Sequence, residues 1–388
     1  MRWEAQLVRP PAGPPEAGDA DAVGAPLPLA GFGDVPAAGA AGALPLPGIV
    51  RSVRTPEFAG MTFHEVLAKS ALNRVPEASN MPFRWTVNPY RGCSHACVYC
   101  FARKTHTYLD LDAGADFDSQ VVVKLNVAEV LRAELRKPSW GRQHVALGTN
   151  TDPYQRAEGR YRLMPGILAA LADSGTPFSI LTKGTLLARD VDRLVAAAAE
   201  VPVSVALSIA MTNAELSAAV EPGTPSPEAR FRLVERLAGR GIDCAVLAMP
   251  ILPWLSDSDE ALDALFARLA RAGASSVTAG PLHLRPGARE WFMSWLAATQ
   301  PELVERYRRL YRRGAVADPE YRTWLAGKVR HFRALHGLRS GGAAFRDAAG
   351  GDGPGPRAGS GAGPGAGSAA GPPPGAAPGQ PALFDLLG

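Results

Sequence analysis

The sequence is poor in cysteine and in lysine, and it contains no long apolar run. Only four of the 388 residues are cysteines, and three of them fall within eight residues, which argues against a disulfide framework and for a reducing compartment. No stretch of 18 or more apolar residues occurs and no secretory leader opens the chain, so we expect a cytoplasmic protein that does not enter the membrane. Only six of the 41 basic residues are lysines, so arginine is heavily used and each arginine carries less functional information than usual.

The length and charge allow one large domain with tails. A chain of 388 residues can bury a full-sized core. The net charge of +4 is compatible with a nucleic-acid partner but does not require one.

Short apolar runs alternate with helical patterns from Phe83 onward. The predicted strands are Trp85–Val87, His144–Gly148, Phe178–Thr182, Val203–Ser208, Ala245–Met249 and Ser276–Ala279. The predicted helices between them are Val127–Arg136, Gly166–Ser174, Leu187–Ala199, Pro227–Arg240 and Asp259–Ala272, and an earlier helix is predicted over Thr62–Leu72. This rhythm predicts an α/β fold with parallel strands and right-handed crossovers, and six βα units fit a partial, open (β/α)6 barrel of the TIM type. A ligand site is expected at the carboxyl ends of the strands.

The cysteine cluster is the strongest chemical signal in the chain. Cys93, Cys97 and Cys100 have the spacing C-x3-C-x2-C directly after the first predicted strand. Three thiolates on one tight loop can converge on one metal centre, and three sulfurs leave one iron of a four-iron cluster without a protein ligand. An open coordination position is typical of a catalytic metal site.

Three other interpretations of this cluster stay open at this point. A structural zinc site would take His95 or His106 as its fourth ligand, although zinc ligands usually come as two separated pairs. A disulfide would leave one cysteine over, and buried free cysteines are rarely clustered.

The motif, with Tyr99 just before the last cysteine, resembles the signature of the radical S-adenosylmethionine (SAM) superfamily. The RGC before it and GTNTDPYQ at Gly148–Gln155 resemble the spore photoproduct lyase-like branch, also called DNA repair photolyase-like, over roughly Arg51 to Tyr321. The resemblance implies the partial barrel, a [4Fe–4S] cluster on the three cysteines, and SAM bound to the fourth iron. It also implies cleavage of SAM to a 5′-deoxyadenosyl radical, a reductant such as flavodoxin or ferredoxin, and DNA as a candidate partner.

Residues near the strand ends are candidates for binding SAM. The segment that follows the second strand receives the methionyl amine in this superfamily, so Thr149, Thr151 and Asp152 are candidates, although an ordinary Asn/Asp/Pro turn has the same composition. The resemblance also places Tyr99 near adenine, and Met249–Asp257 is a candidate apolar shelf beside it.

Two polar residues that follow later strands are further candidates. Lys183 is a candidate for the SAM carboxylate or a phosphate, against a solvated loop lysine. Ser208 is a candidate for the ribose, against a serine bonded to backbone.

The hydrogen donor is not identified. Spore photoproduct lyases of the bacterial type use a cysteine, but Cys244 starts the fifth strand and is predicted to be a small buried hydrophobe at the far end of the barrel. Tyr90, Tyr108 and Tyr154 are alternative radical relays.

Two later segments are candidate interaction sites. Arg306–Arg313 (RYRRLYRR) predicts either a nucleic-acid surface with stacking tyrosines or an amphipathic helix that buries them. Gln380, Leu383 and Phe384 match the Q-x-x-L-F peptide by which bacterial repair proteins dock on the sliding clamp.

The predicted segments are a mostly disordered 1–48, the partial barrel 49–284, a helical extension 285–339, a Gly/Ala/Pro-rich linker 340–379 and an apolar peptide 380–388. We therefore expect a radical SAM enzyme that acts on nucleic acid. The rival hypotheses are modification of RNA, a peptide or a metabolite, and a non-catalytic iron–sulfur redox sensor.

Overall fold

The structure, a computed structural model, describes Leu46, residues 48–76, Ser79 and residues 81–341. The predicted disordered segment up to residue 45, the linker beyond Gly341 and the clamp-type peptide with Gln380, Leu383 and Phe384 lie outside the described residues. None of the helices in the described ranges is both long enough and apolar enough to span a bilayer. The segment boundaries given above stay predictions.

The described residues contain eleven strands, which divide between two sheets. In chain order the strands are β1 (Ile49–Val53), β2 (Thr62–Val66), β3 (Leu72–Arg74), β4 (Trp85–Val87), β5 (Tyr90–Arg91), β6 (Gln120–Lys124), β7 (Val145–Leu147), β8 (Phe178–Thr182), β9 (Val203–Ser208), β10 (Cys244–Ile251) and β11 (Ser276–Pro281).

Seven of these strands form the main sheet, in the spatial order β11-β10-β9-β8-β7-β4-β3. Strand β3 runs antiparallel to β4, and the other six are parallel neighbours in chain order. All six predicted strands are present, and their sequential order confirms the predicted open (β/α)6 arrangement.

The helices cover the parallel strands, as the crossover rule requires. Within the described part they are α1 (Ala115–Ser119), α2 (Val127–Leu135), α3 (Arg156–Tyr161), α4 (Met164–Asp173), α5 (Val191–Glu200), α6 (Ala214–Val220), α7 (Pro227–Ala238), α8 (Asp259–Arg271), α9 (Ala288–Thr299), α10 (Val304–Leu310) and α11 (Pro319–Leu335). In helix α8, the Ser258 hydroxyl caps the N-terminus by accepting a hydrogen bond from the Ala261 amide. Its buried Leu262, Leu265 and Leu269 share one face. The helix predicted over Leu187–Ala199 begins as a 3-10 turn, Thr185–Asp190, that continues into α5.

The prediction of a helix over Thr62–Leu72 is wrong. Thr62–Val66 is strand β2 of the second sheet, which has the order β1-β2-β6-β5. All five residues of β2 are buried because the strand lies between β1 and β6. Its polar side chains have partners: the His64 ring bonds to Gln120, and the Glu65 carboxylate to Arg51. Leu67, which the helix would have buried, is 51% exposed.

The C-terminal helices pack beside the cysteine loop. Helix α9 contacts the 3-10 helix Phe101–Leu109, and α11 packs on α8 and β11. Tyr307 and Tyr311 lie fully buried in a cluster with Cys97, Val98 and Leu282. These helices therefore help to fix the loop that carries the thiols.

Candidate active site

One cavity lies at the carboxyl ends of the six parallel strands, where the sequence predicts the ligand site. The end of each strand, or the loop after it, contributes to its wall. The lining residues include, in strand order, Cys93, Cys97 and Cys100 after β4, Asn150, Thr151 and Asp152 after β7, Lys183 after β8, Ser208 at the end of β9, Met249 and Pro250 on β10, and His283 and Arg285 after β11.

The three clustered cysteines lie on one wall of this cavity. Cys93 and Cys97 are buried, Cys100 is half-buried, and all three are free thiols, which sets aside the disulfide interpretation for this conformation. Tight turns hold them, with the Ala96 amide 3.1 Å from the Cys93 carbonyl oxygen and the Cys100 amide 3.2 Å from that of Cys97. Cys244 is buried at the start of β10, the opposite end of the barrel, as its position predicts.

The chemistry of these donors fits a cationic cluster. Burial raises the pKa of the Cys97 thiol well above its usual range, and burial together with Cys93 raises the pKa of Cys100 to about 11. A bound iron centre supplies the positive charge that thiolates at such positions need. Across the described residues no three His, Cys, Asp or Glu side chains converge on a point suited to a single ion. Each thiolate of a four-iron cluster binds a different iron, so its sulfurs stand farther apart than zinc ligands do.

Both histidines that the zinc interpretation needs have other partners. The His95 Nδ1 lies 3.3 Å from an Asp152 carboxylate oxygen, and the His106 Nε2 lies 2.9 Å from the carbonyl oxygen of Gln120. Burial alone would lower the pKa of His95, but the adjacent Asp152 carboxylate, followed by the contact with Cys93, outweighs that effect and raises the pKa to about 10. His95 therefore serves as the cationic partner of Asp152.

Arg103 anchors the cysteine loop from inside the protein. Its guanidinium is fully buried and donates to the Cys97 carbonyl oxygen from Nε (3.1 Å) and Nη2 (2.9 Å). It also binds both Asp118 carboxylate oxygens at 2.9 Å, and it lies 5.3 Å and 4.9 Å from the ring centroids of Phe117 and Trp291. A planar fork with five donors can make all these contacts at once, which a lysine cannot.

The predicted SAM segment Gly148–Tyr154 and its neighbour Gln155 also brace this loop. The Gln155 side chain donates to the Gly92 carbonyl oxygen (3.0 Å) and accepts from the Ser94 amide (2.8 Å). The Thr151 hydroxyl donates to the Tyr90 carbonyl oxygen at 2.9 Å. The segment therefore has a structural role in addition to any contact with a ligand.

Gly148 is required by the close approach of the next strand. Its φ is +85°, and a Cβ at this position would collide with the Leu181 carbonyl oxygen of β8. No other residue type fits both conditions, so the glycine serves the packing of the sheet as well as the cavity.

Asp152 is the centre of a hydrogen-bond cluster. Its carboxylate accepts from the Thr182 hydroxyl (2.5 Å), the Lys183 amide (2.6 Å) and the Tyr154 amide (2.9 Å). Burial would raise the pKa of Asp152, but His95 and these donors outweigh it and keep that pKa below its usual value. Thr149 is half-buried. Its neighbour Asn150 lines the cavity, whereas Thr149 is not among the lining residues in the described part of the chain.

Three predicted SAM residues meet at a carboxylate that the sequence did not single out. The Lys183 ammonium donates to the Ser208 hydroxyl (2.5 Å) and lies 3.5 Å from the Glu221 carboxylate, to which the Tyr99 hydroxyl also donates. Burial would raise the pKa of Glu221, but the Arg230 guanidinium at 2.7 Å and the Lys183 ammonium lower it to about 2. Glu221 is thus an anion that fixes the Tyr99 ring and the Lys183 side chain against each other. Its sequence context, a Glu-Pro-Gly turn, gives no sign of this.

The burial of two tyrosines decides between the two interpretations of Arg306–Arg313. The Tyr307 and Tyr311 hydroxyls donate to the carbonyl oxygens of Pro253 (2.8 Å) and Leu282 (2.7 Å), and both rings are fully buried. Stacking of these tyrosines on bases is therefore wrong, and the amphipathic helix is confirmed, with the arginines exposed.

The remaining candidates are divided between the cavity, the core and the surface. Of the predicted apolar shelf Met249–Asp257, Met249 and Pro250 line the cavity. Tyr108, a candidate relay, is 78% exposed, whereas Tyr90 and Tyr154 are buried.

Comparison with known proteins gives the family. The profile of the Radical SAM superfamily matches residues 87–266. An uncharacterized protein of Mycobacterium tuberculosis H37Rv is 62% identical over 291 residues, which are 75% of this chain and 86% of that protein. One from Methanocaldococcus jannaschii is 29% identical over 198 residues, 50% of this chain and 69% of that one.

The solved structures show the same fold. Spore photoproduct lyase complexed with dinucleoside spore photoproduct has a TM-score of 0.54 at 16% identity, over 75% of this chain and 85% of that one. A double mutant of that enzyme with bound AdoMet and the same ligand gives the same values. Together with the cysteine wall at the strand ends, these matches identify the chain as a member of the radical SAM superfamily, whose enzymes use a [4Fe–4S] cluster and SAM, on the fold of spore photoproduct lyase.

Proposed function

We propose that Cys93, Cys97 and Cys100 hold a [4Fe–4S] cluster, and that the protein cleaves SAM to a 5′-deoxyadenosyl radical that acts on nucleic acid, in DNA repair or base modification. The observation that carries this proposal is that three buried or half-buried thiols on one loop line the cavity at the carboxyl ends of the parallel strands. When bound, the reduced cluster supplies the electron that cleaves SAM. The protein supplies the positions of SAM and substrate and excludes water from the radical.

In this proposal Lys183, Ser208 and Tyr99 bind different parts of SAM. The Lys183 ammonium neutralises the SAM carboxylate, the Ser208 hydroxyl bonds to the ribose, and the Tyr99 ring, fixed by Glu221, packs beside adenine. Of the three candidates for the methionyl amine, Thr151 and Asp152 line the cavity, and Thr149 is not among its lining residues in the described part of the chain. Asp152 is favoured over Thr151 because its carboxylate is anionic.

Nucleic acid is the favoured substrate class because solved structures that share this fold include spore photoproduct lyase complexed with dinucleoside spore photoproduct. RNA, peptide or metabolite modification and a redox sensor are the competing hypotheses. We further propose a flavodoxin or ferredoxin as reductant and a cytoplasmic location, since reduced thiols persist there.

Production of 5′-deoxyadenosine tests the enzyme and its substrate together. After anaerobic reconstitution with iron and sulfide, the dithionite-reduced protein is expected to cleave SAM slowly alone and several-fold faster with UV-irradiated DNA. Unirradiated DNA and irradiated RNA serve as matched controls, and the product is followed by chromatography. Cleavage that ignores every nucleic acid would contradict the substrate class, and a fully loaded cluster that leaves SAM intact would favour the redox sensor.

The C-terminal peptide is proposed, from its sequence alone, to bind the bacterial sliding clamp through Gln380, Leu383 and Phe384. Deletion of residues 380–388 is expected to abolish binding to immobilised clamp and to leave SAM cleavage unchanged. A variant with alanine at all three positions should match the deletion. Full clamp binding by either variant would exclude the peptide as the docking site.

A further inference from the structure

The loop after β11 brings two polar side chains into the cavity that the assigned SAM contacts do not use. His283 and Arg285 line the wall next to Phe101, the residue that follows the last cysteine of the cluster. The backbone of this loop is held firmly, because the Tyr311 hydroxyl donates to the Leu282 carbonyl oxygen (2.7 Å) and the Leu284 amide to that of Ala315 (2.8 Å). Side chains on such a supported loop are preorganised for a ligand.

Among the described residues, the Arg285 guanidinium has no anionic partner. Its half-buried guanidinium lies 5.5 Å from the centroid of the Phe101 ring, and within the described chain it forms no ion pair and no side-chain hydrogen bond. Partial burial of a charge is costly unless an opposite charge or hydrogen-bond acceptor meets it. The five N–H groups of the guanidinium match the oxygens of a phosphate in a bidentate arrangement.

His283 offers a second unsatisfied group on the same wall. Its Nδ1 atom is buried and has no hydrogen-bond partner among the described residues. Burial, and next the neighbouring Arg285, lower the pKa of His283 to about 4, so the ring is neutral near pH 7. A buried ring nitrogen of this kind is normally paired, and the His283 side chain lines the cavity.

We propose that Arg285 and His283 form a nucleotide-binding subsite of the cavity, in which Arg285 binds a backbone phosphate of the substrate and His283 hydrogen-bonds the same nucleotide. The exposed Phe101 ring beneath the guanidinium provides an apolar surface for the base. The subsite lies after the last strand, whereas the polar residues assigned to SAM lie after β7, after β8 and at the end of β9, and Lys183 already provides the cation for the carboxylate. Tyr99, which is assigned to adenine, lies on the cysteine loop after β4. This inference rests on the proposed nucleic-acid substrate, and it assigns the recognition of that substrate to Arg285 and His283.

The test measures binding of a fluorescein-labelled oligothymidylate to the reconstituted full-length protein by fluorescence anisotropy over a range of salt. Arg285→Gln is expected to raise the dissociation constant at least about tenfold, as loss of a desolvated charged partner does, and to lower the salt slope by about one. Arg285→Lys should restore the slope but only part of the affinity. His283→Phe should weaken binding with an unchanged slope. Arg236→Gln, which removes an exposed arginine of α7, serves as the matched control and should stay within about twofold.

Three results would overturn the subsite, and each points to a different error. Unchanged oligonucleotide affinity in Arg285→Gln, with wild-type binding intact, removes the subsite and leaves the proposed function standing. A rise in the SAM dissociation constant, measured by equilibrium dialysis, that equals the rise for the oligonucleotide assigns Arg285 to SAM. A wild-type protein that cleaves SAM and binds no oligonucleotide refutes the nucleic-acid substrate, and the subsite with it.

Discussion

Replacing Cys93, Cys97 or Cys100 singly with alanine is expected to abolish the brown chromophore and to reduce SAM cleavage by more than about 100-fold. Loss of even an outer-shell partner of a metal ligand lowers metal affinity or activity by about 10- to 100-fold, and here a ligand itself is lost. The thiols share one loop and one cavity wall, so each variant removes one of three sulfurs from the same site. Iron content, the visible absorption spectrum and 5′-deoxyadenosine formation provide three independent measurements.

Cys244→Ala is the matched control for these variants. It removes the remaining thiol of the chain, which is buried at the opposite end of β10. The control should keep its iron, its colour and its SAM cleavage, with a modest loss of stability from the small cavity. Normal SAM cleavage in any of the three cluster variants would refute the assignment of that cysteine.

Arg103→Met is expected to lower the free energy of unfolding of the cluster-free protein by about 3–5 kcal/mol, the cost of removing one partner from a buried ion pair. The substitution keeps an unbranched apolar stem between Phe117 and Trp291 but leaves the Asp118 carboxylate and the Cys97 carbonyl oxygen without their donor. Burial already raises the pKa of Asp118 to about 6, against the opposing effect of Arg103, so the unpaired acid would take up a proton near neutral pH. Urea denaturation of the cluster-free protein measures the stability, and the iron content after reconstitution measures the iron uptake.

Arg240→Gln is the control for Arg103→Met, since the Arg240–Asp192 ion pair is mostly exposed. Exposed pairs of this kind are worth about 0–1 kcal/mol, so this variant should unfold almost as the wild type does. Equal losses in the two variants would show that Arg103 has no special role in the loop.

The sequence predicts the barrel well because buried parallel strands are short apolar runs on both faces. Phe178–Thr182 and Val203–Ser208 begin and end where predicted, and the spacing of the cysteines alone places them together. The helical prediction fails at β2 because Phe63, Val66 and Leu67 happen to have helical spacing, while the polar side chains of the strand find partners on other strands. Such partners are not visible in a local pattern.

The supporting residues of the site could not be predicted for the same reason. Tyr99 and Glu221 are 122 positions apart, and neither local sequence announces the other. Arg103 looks like one arginine among many in an arginine-rich chain, and its role becomes visible only when the loop, Asp118 and Trp291 surround it. The segment Gly148–Tyr154 was predicted to bind SAM, and the support that its neighbour Gln155 gives the cysteine loop depends on a pairing across 61 residues that no motif encodes.

The residues that hold the cysteine loop in place lie far beyond it in the sequence, and this separation matters for biosynthesis. When the three cysteines have just emerged from the ribosome, Gln155, Glu221 and Trp291 have not yet been synthesised. The contacts that these residues make with the cysteine loop are therefore still missing. The entropy of closing such long loops is overcome only when the barrel assembles. If the three cysteines hold the proposed cluster, we therefore expect iron to be delivered after synthesis, to a folded apoprotein, rather than to the nascent chain.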